Sequence, residues 1–267
     1  MILRAITGSV IVSVILASIW FGPQYFQYLW LILMFKGFLE AQGLHKIDSM
    51  RMTCFCASGI WLGTSLGFVA SQSVSLLVGG CLLSLFLFFS MGIMDFKEES
   101  RETFYAKFSS SLVTFLYIGV FYTPVLYIAV LGARPKEFLL LIFAIMWLQD
   151  SFAYLGGRLF GKHRMSPDLS PNKTWEGAII GLAIACLIIG LVNLYFPRAD
   201  SLALIILVVS VGIAGQIGDL MESFLKRSFN VKDSGQIFPG HGGVLDRFDS
   251  VVAGSIVFLV ITLMEVV

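Results

Sequence analysis

Charge is the scarcest resource in this chain. Only 13% of the 267 residues are Asp, Glu, Lys or Arg, against about 25% in an ordinary soluble domain. That leaves too little polar surface to coat a water-soluble globule. Net charge is +1, so no strong field draws the chain to nucleic acid. Cysteine is sparse too. Cys54, Cys56, Cys81 and Cys186 all stand in apolar runs. They build no disulfide framework, and a structural zinc site needs about four ligands. They read as small membrane-buried hydrophobes.

Long apolar runs are abundant. Hydrophobic residues make up 57% of the chain, and mean hydropathy is +0.88. A bilayer core takes about 20 apolar residues per helix. Nine stretches meet that length: 3–20, 24–40, 52–70, 74–94, 108–131, 138–155, 175–196, 202–225 and 244–267. The expected fold class is all-α, a polytopic integral membrane protein of about nine transmembrane helices. Arg4 and the run to Trp20 also resemble a signal peptide. The spans that follow favour an uncleaved anchor. Gly22-Pro23 separates the first two runs, which read either as two helices or as one broken helix.

Lysine and arginine set the orientation. With the N-terminus inside, fourteen of the eighteen fall on the inner side and three on the outer, with Lys36 inside a span. The N-terminus is therefore expected to be cytoplasmic, in the cytoplasmic membrane. Residues 1–135 read as five scaffold spans. Residues 136–267 read as the catalytic spans, with cytoplasmic loops 156–174 and 226–243. No internal repeat is evident, which counts against a transporter of duplicated halves.

The chemistry gathers between Ile217 and Ser250. Asp219 stands near the inner end of an apolar helix, where a charge costs a few kcal/mol and calls for a partner or a task. Helical spacing puts Asp219, Ser223 and Lys226 on one face, and Glu222 can pair with Lys226. Asp246 and Asp249 share a face at the start of the last helix. Three converging carboxylates repel unless a cation stands between them, and magnesium suits such hard oxygen donors. The competing reading of Asp246 and Asp249 is helix capping or pairing with Arg247. Gly240, Gly242 and Gly243 let backbone N–H groups approach an anion, next to a helix N-terminus. Lys226, Arg227 and Lys232 supply charged donors. His241 fits three roles: phosphate ligand, metal ligand or brace of the loop.

This stretch resembles the signature of the phosphatidate cytidylyltransferases, the CDP-diacylglycerol synthases. Ser223, Lys226, Arg227, Lys232, Asp233, Gly235, Phe238, Pro239, His241, Gly242, Gly243, Asp246, Arg247 and Asp249 meet the pattern without departure. A second block agrees, with Asp150, Tyr154 and Arg158 along one inward stripe, then Gly161, Lys162, Ser170, Pro171, Lys173, Thr174 and Glu176. Glu176 reads as a helix cap or as a reactant. Gly177 with Gly181, and Gly212 with Gly215 and Gly218, read as close helix packing. The likeness is dense from about Trp147 onward, and no site residue is carried over from the N-terminal half.

The resemblance implies CTP and phosphatidic acid as substrates, diphosphate as product, membrane lipids as surroundings and one or two Mg2+ ions as cofactor. It assigns Asp219, Asp246, Asp249 and Lys226 to catalysis, the three aspartates to metal. Lys173, Ser223, Arg227, Lys232, Asp233, His241, Gly242, Gly243, Arg247, Asp150 and Arg158 go to substrate binding. A homo-oligomer is compatible with the sequence. The rival readings are a CTP-dependent lipid kinase and a cation-coupled transporter.

Overall fold

The computed structural model describes residues 2–44, 48–94, 96, 101–196, 199–240 and 242–264. Nine α-helices lie among them: α1 (Ile2–Phe21), α2 (Pro23–Leu44), α3 (Asp48–Ser71), α4 (Val74–Met94), α5 (Arg101–Leu131), α6 (Pro135–Phe160), α7 (Trp175–Tyr195), α8 (Ser201–Ser228) and α9 (Leu245–Leu263). Each expected apolar stretch holds one helix. Five helices are long and apolar enough to cross a membrane, at 74–94, 108–131, 135–160, 175–195 and 201–228. Their outward faces suit lipid: Phe86 is 67% and Ile93 74% exposed. In water such surfaces would drive aggregation, whereas acyl chains solvate them. The chain is a multi-pass membrane protein.

The all-α expectation needs one correction. Residues 164–174 form a two-stranded antiparallel hairpin, β1 (Arg164–Ser166) and β2 (Ser170–Thr174), with Arg164 opposite Thr174 and Ser166 opposite Ser170. The segment lacks an alternating apolar pattern, so no strand signal was visible. Two loop boundaries also move. The first five residues of the 156–174 loop belong to α6, and Lys226 and Arg227 lie in the last turn of α8. Basic side chains there are favoured by the partial negative charge of the helix C-terminus.

Local chemistry explains the element ends. Gly22 adopts φ +151° between α1 and α2, so these are two helices. Pro23 and Pro135 open α2 and α6, where the missing N–H costs nothing. Thr174 caps α7 through its Oγ1, which accepts from Gly177 N at 3.2 Å. Asp200 caps α8, accepting from Leu202 N and Ala203 N at 3.0 Å each.

The chain divides into two compact units. The first comprises Met1–Lys136 with Asp233–Arg247, the second Glu137–Lys232 with Phe248–Val267. In the first, α2 packs on α5 through an aromatic core. Trp30 is fully buried, donates from Nε1 to Tyr122 O at 2.9 Å and lies 5.5 Å from the Tyr122 ring. Such ring pairs add about 0.5–1.5 kcal/mol beyond the area they bury. Thr7 Oγ1 of α1 donates to Pro239 O at 3.1 Å. Lys136 Nζ donates to Trp20 O at 3.0 Å.

The second unit holds together by small residues and polar side chains, the usual means where lipid removes the hydrophobic drive between helices. A Cβ on Gly181 would stand 2.5 Å from Gln149 O, and one on Gly177 2.5 Å from Ala153 O. Both glycines therefore let α7 close on α6. Gln149 Nε2 donates to Gly212 O at 2.9 Å, and Gln216 Nε2 to Ala178 O at 3.1 Å.

Candidate functional site

The expected site residues fall into two clusters, one in each unit. In the second unit α8 and α9 approach each other at Gly218. A Cβ there would lie 2.3 Å from the Ala253 Cβ and 2.7 Å from Asp249 O, so only glycine permits the crossing. The next residue is Asp219, whose Oδ2 forms an ion pair with Lys173 Nζ at the end of β2. One turn on, the Glu222 carboxylate is 1% exposed and pairs with Lys226 Nζ at i,i+4. Asp249 on α9 is half-buried and sits in the electrostatic field of Asp219, Glu222 and Asp150. Its Oδ1 accepts from Ser250 N at 2.7 Å.

Four carboxylates thus act on one neighbourhood, and two lysines are paired into it. Ser223, directly after Glu222 on α8, is buried. Arg227 donates from Nη1 to Val231 O at 3.0 Å and turns the chain after α8. Lys232 and Arg158 are exposed. Asp150 and Tyr154 are exposed as well, and the Asp150 carboxylate still acts electrostatically on Asp249.

Of the two roles expected for Glu176, the helix cap goes to another residue. The cap of α7 is Thr174. The Glu176 carboxylate instead reaches back to the turn before β1, accepting from Lys162 N at 3.1 Å and His163 N at 3.2 Å and meeting His163 Nδ1 at 2.5 Å. It ties the hairpin to the helix. That hairpin carries Lys173 to Asp219.

The cluster in the first unit is built from backbone donors. Gly242 adopts φ +82°, a left-handed turn that a side chain would strain. Asp246, in the first turn of α9, accepts at Oδ2 from Gly243 N at 2.7 Å, Ser234 N at 2.9 Å and Ser234 Oγ at 2.8 Å. Glu40, near the end of α2, is 8% exposed. It accepts from Val244 N at 2.8 Å and Leu245 N at 3.1 Å. Asp233 and Arg247 are exposed, and His241 lies outside the described residues. Among the described residues no group of three or more His, Cys, Asp or Glu side chains is gathered as a ready metal site.

Sequence reasoning overlooked Glu40 and Ser234. Ser234 sits inside the motif without being one of its fixed positions. Glu40 carried a signal, since an acid at the end of an apolar run asks for a partner. Its partners are about 200 residues away, which no local pattern reveals.

Residues 2–264 match the model of a family described as the cytidylyltransferase family. A phosphatidate cytidylyltransferase of Staphylococcus haemolyticus is 35% identical over 224 residues, 82% of this chain and 85% of that protein. One of Staphylococcus aureus is 45% identical over 148 residues, 54% of this chain and 56% of that protein. One of Staphylococcus saprophyticus is 43% identical over 141 residues, 52% and 53% of the two chains.

Proposed function

Because the chain belongs to the cytidylyltransferase family, we propose that it transfers the CMP unit of CTP to phosphatidic acid, giving CDP-diacylglycerol and diphosphate. The observation that carries this reading is the pairing of Lys173 with Asp219 beside the Asp249 and Glu222 carboxylates. Acids and bases interleaved at helix ends suit a reaction that brings two phosphate-bearing anions together.

The chemistry asks for little proton transfer. A phosphate oxygen of phosphatidic acid, already anionic near neutral pH, attacks the α-phosphorus of CTP. The bond to the bridging oxygen breaks, and its electron pair leaves with diphosphate. The protein's work is to align the two substrates and offset their charge. Lys173, Lys226, Arg227 and Lys232 hold phosphate oxygens, with Ser223, Arg158, Arg247, Asp150, Asp233 and His241 as further contacts. The Gly242-Gly243 turn presents its amides to an anion.

The donor set in the second unit is all hard oxygen: Asp219 and Glu222 are each paired with a lysine and Asp249 lies in their electrostatic field, a chemistry that suits a magnesium ion. Asp219 and Asp249 would hold it, and the proposal keeps Asp246 as a third ligand. Bound there, magnesium supplies charge neutralisation for the triphosphate and the departing diphosphate.

The reading includes nine membrane spans with the N-terminus and the site on the cytoplasmic side. Two contacts support the alternation: Thr7 with Pro239, both assigned inside, and Lys136 with Trp20, both assigned outside. Purified protein supplied with phosphatidic acid, magnesium and labelled CTP tests the activity. Label from the α-phosphate should enter the lipid. Entry of γ-label would make the protein a CTP-dependent kinase, and neither label entering would sink both readings.

A further inference from the structure

Glu40 stands outside every motif that points to the reaction, yet both of its carboxylate oxygens are engaged. It projects from α2 near the helix end, and its two oxygens take the backbone N–H groups of Val244 and Leu245 at 2.8 and 3.1 Å. Those groups open α9 and have no partner within the helix. A carboxylate delivered from another helix therefore replaces the usual capping side chain, and its charge faces the positive end of the α9 dipole.

The surroundings are shaped to this carboxylate. A Cβ on Gly243 would stand 2.3 Å from Glu40 Oε2, and one on Gly235 2.6 Å from Glu40 Oε1. A side chain at either position would press on the Glu40 carboxylate. One turn earlier on α2, a Cβ on Gly37 would stand 3.2 Å from Leu245 Cδ2, so the same face of α2 also seats the first α9 residue. Ser234 lies between the two acids of the cluster. Its Oγ is 2.8 Å from Asp246 Oδ2 and 3.3 Å from Glu40 Oε2. A hydroxyl has one proton, and the shorter contact takes it. Glu40 thus holds the backbone on the far side of the turn whose near side Asp246 holds.

We propose that Glu40 is a positioning residue for the transfer reaction: it sets the Gly242–Leu245 turn and the start of α9, and through them the placement of Asp246. This rests on the function proposed above. Glu40 touches no substrate in this scheme and acts through the turn.

The test uses the full chain in detergent, with Glu40→Gln as the first variant. The amide keeps one acceptor oxygen but turns an N–H toward a backbone donor, so one of the two bonds becomes a clash. Amide hydrogen exchange at 243–245 should quicken at least about tenfold, as expected for loss of a buried bond, while α3 and α4 keep their protection. Turnover at saturating CTP should fall roughly 100-fold, the scale of a displacement of about 1 Å at a reacting site. Gly235→Ala gives a second approach, because its Cβ presses on Glu40 while Glu40 itself remains. It should show the same local exchange and a smaller loss of turnover, and in the double variant Gly235→Ala should add nothing to the loss that Glu40→Gln causes alone. Unchanged exchange at 243–245, or quickened exchange with wild-type turnover, overturns the proposal, as does loss of protection throughout the chain in both single variants. If the wild type itself moves no label, the function proposed above fails, and exchange alone judges whether Glu40 holds the turn.

Discussion

The two carboxylate clusters differ in what satisfies them. Asp219 and Glu222 are answered by lysine ammonium groups on flexible stems. Asp246 and Glu40 are answered mainly by backbone N–H groups of one loop. A lysine in a part-exposed pair such as Lys173 with Asp219 can turn to a phosphate or give way to a cation at small cost. A backbone amide cannot leave without unfolding its turn. The first cluster is thus built for exchange of partners, the second for keeping a shape. Removing charge from each should therefore separate activity from stability.

The largest effect should come from Asp219→Asn. We expect CMP transfer to fall by three or more orders of magnitude, comparable to or beyond loss of a preorganised electrostatic contact, with the thermal midpoint unchanged or slightly raised. Turnover within tenfold of wild type would remove Asp219 from the proposed cation site. Asp246→Asn should instead cost both properties. Its Oδ2 accepts three hydrogen bonds, and bonds to a charged acceptor are roughly twice as strong as neutral ones. A stability loss of about 1–3 kcal/mol is expected, read as a lower midpoint in detergent, together with slower transfer. Equal midpoints for the two asparagine variants would erase the contrast between the clusters.

Lys173→Ala sharpens the contrast from the basic side. Its pair with Asp219 is 27% exposed on the lysine side and 31% on the aspartate side, and ion pairs open to solvent contribute little, about 0–1 kcal/mol. Stability should barely move. The KM for CTP should rise roughly tenfold, the value of one charge-assisted phosphate contact of about 1.4 kcal/mol. The smallest effect belongs to Thr174→Ala, which removes the α7 cap. About 1 kcal/mol of stability should go, with a modest rise in KM for CTP because the neighbouring Lys173 is less well held. A large loss of turnover there would mean that Thr174 does more than cap.

Much of the fold was legible because lipid imposes a simple rule. Every backbone group must be satisfied inside the segment, so an apolar run of the right length has to be a helix. The 74–94 run coincides with α4 residue for residue. The ends of α8 and α6 ran past their expected limits because polar residues extend a helix beyond the bilayer as readily as apolar ones. The hairpin at 164–174 had no such rule to betray it. Its pairing is held by contacts of its own flanks, Trp175 N with His163 O at 3.0 Å and Glu176 with His163, rather than by an amphipathic pattern.

Composition and motif spacing by themselves determined the solvent and the helices found among the described residues, since hydropathy and helical period act over a few residues at a time. Only the tertiary structure decided which carboxylate met which partner. Lys226 was open to Asp219 or Glu222 and took Glu222, while Lys173 came to Asp219 on a hairpin. Glu40 reached the turn before α9 across roughly two hundred residues. Such pairings depend on where helices cross, and the crossings are set by the packing of small residues such as Gly37 and Gly218, whose consequences no local stretch of sequence contains.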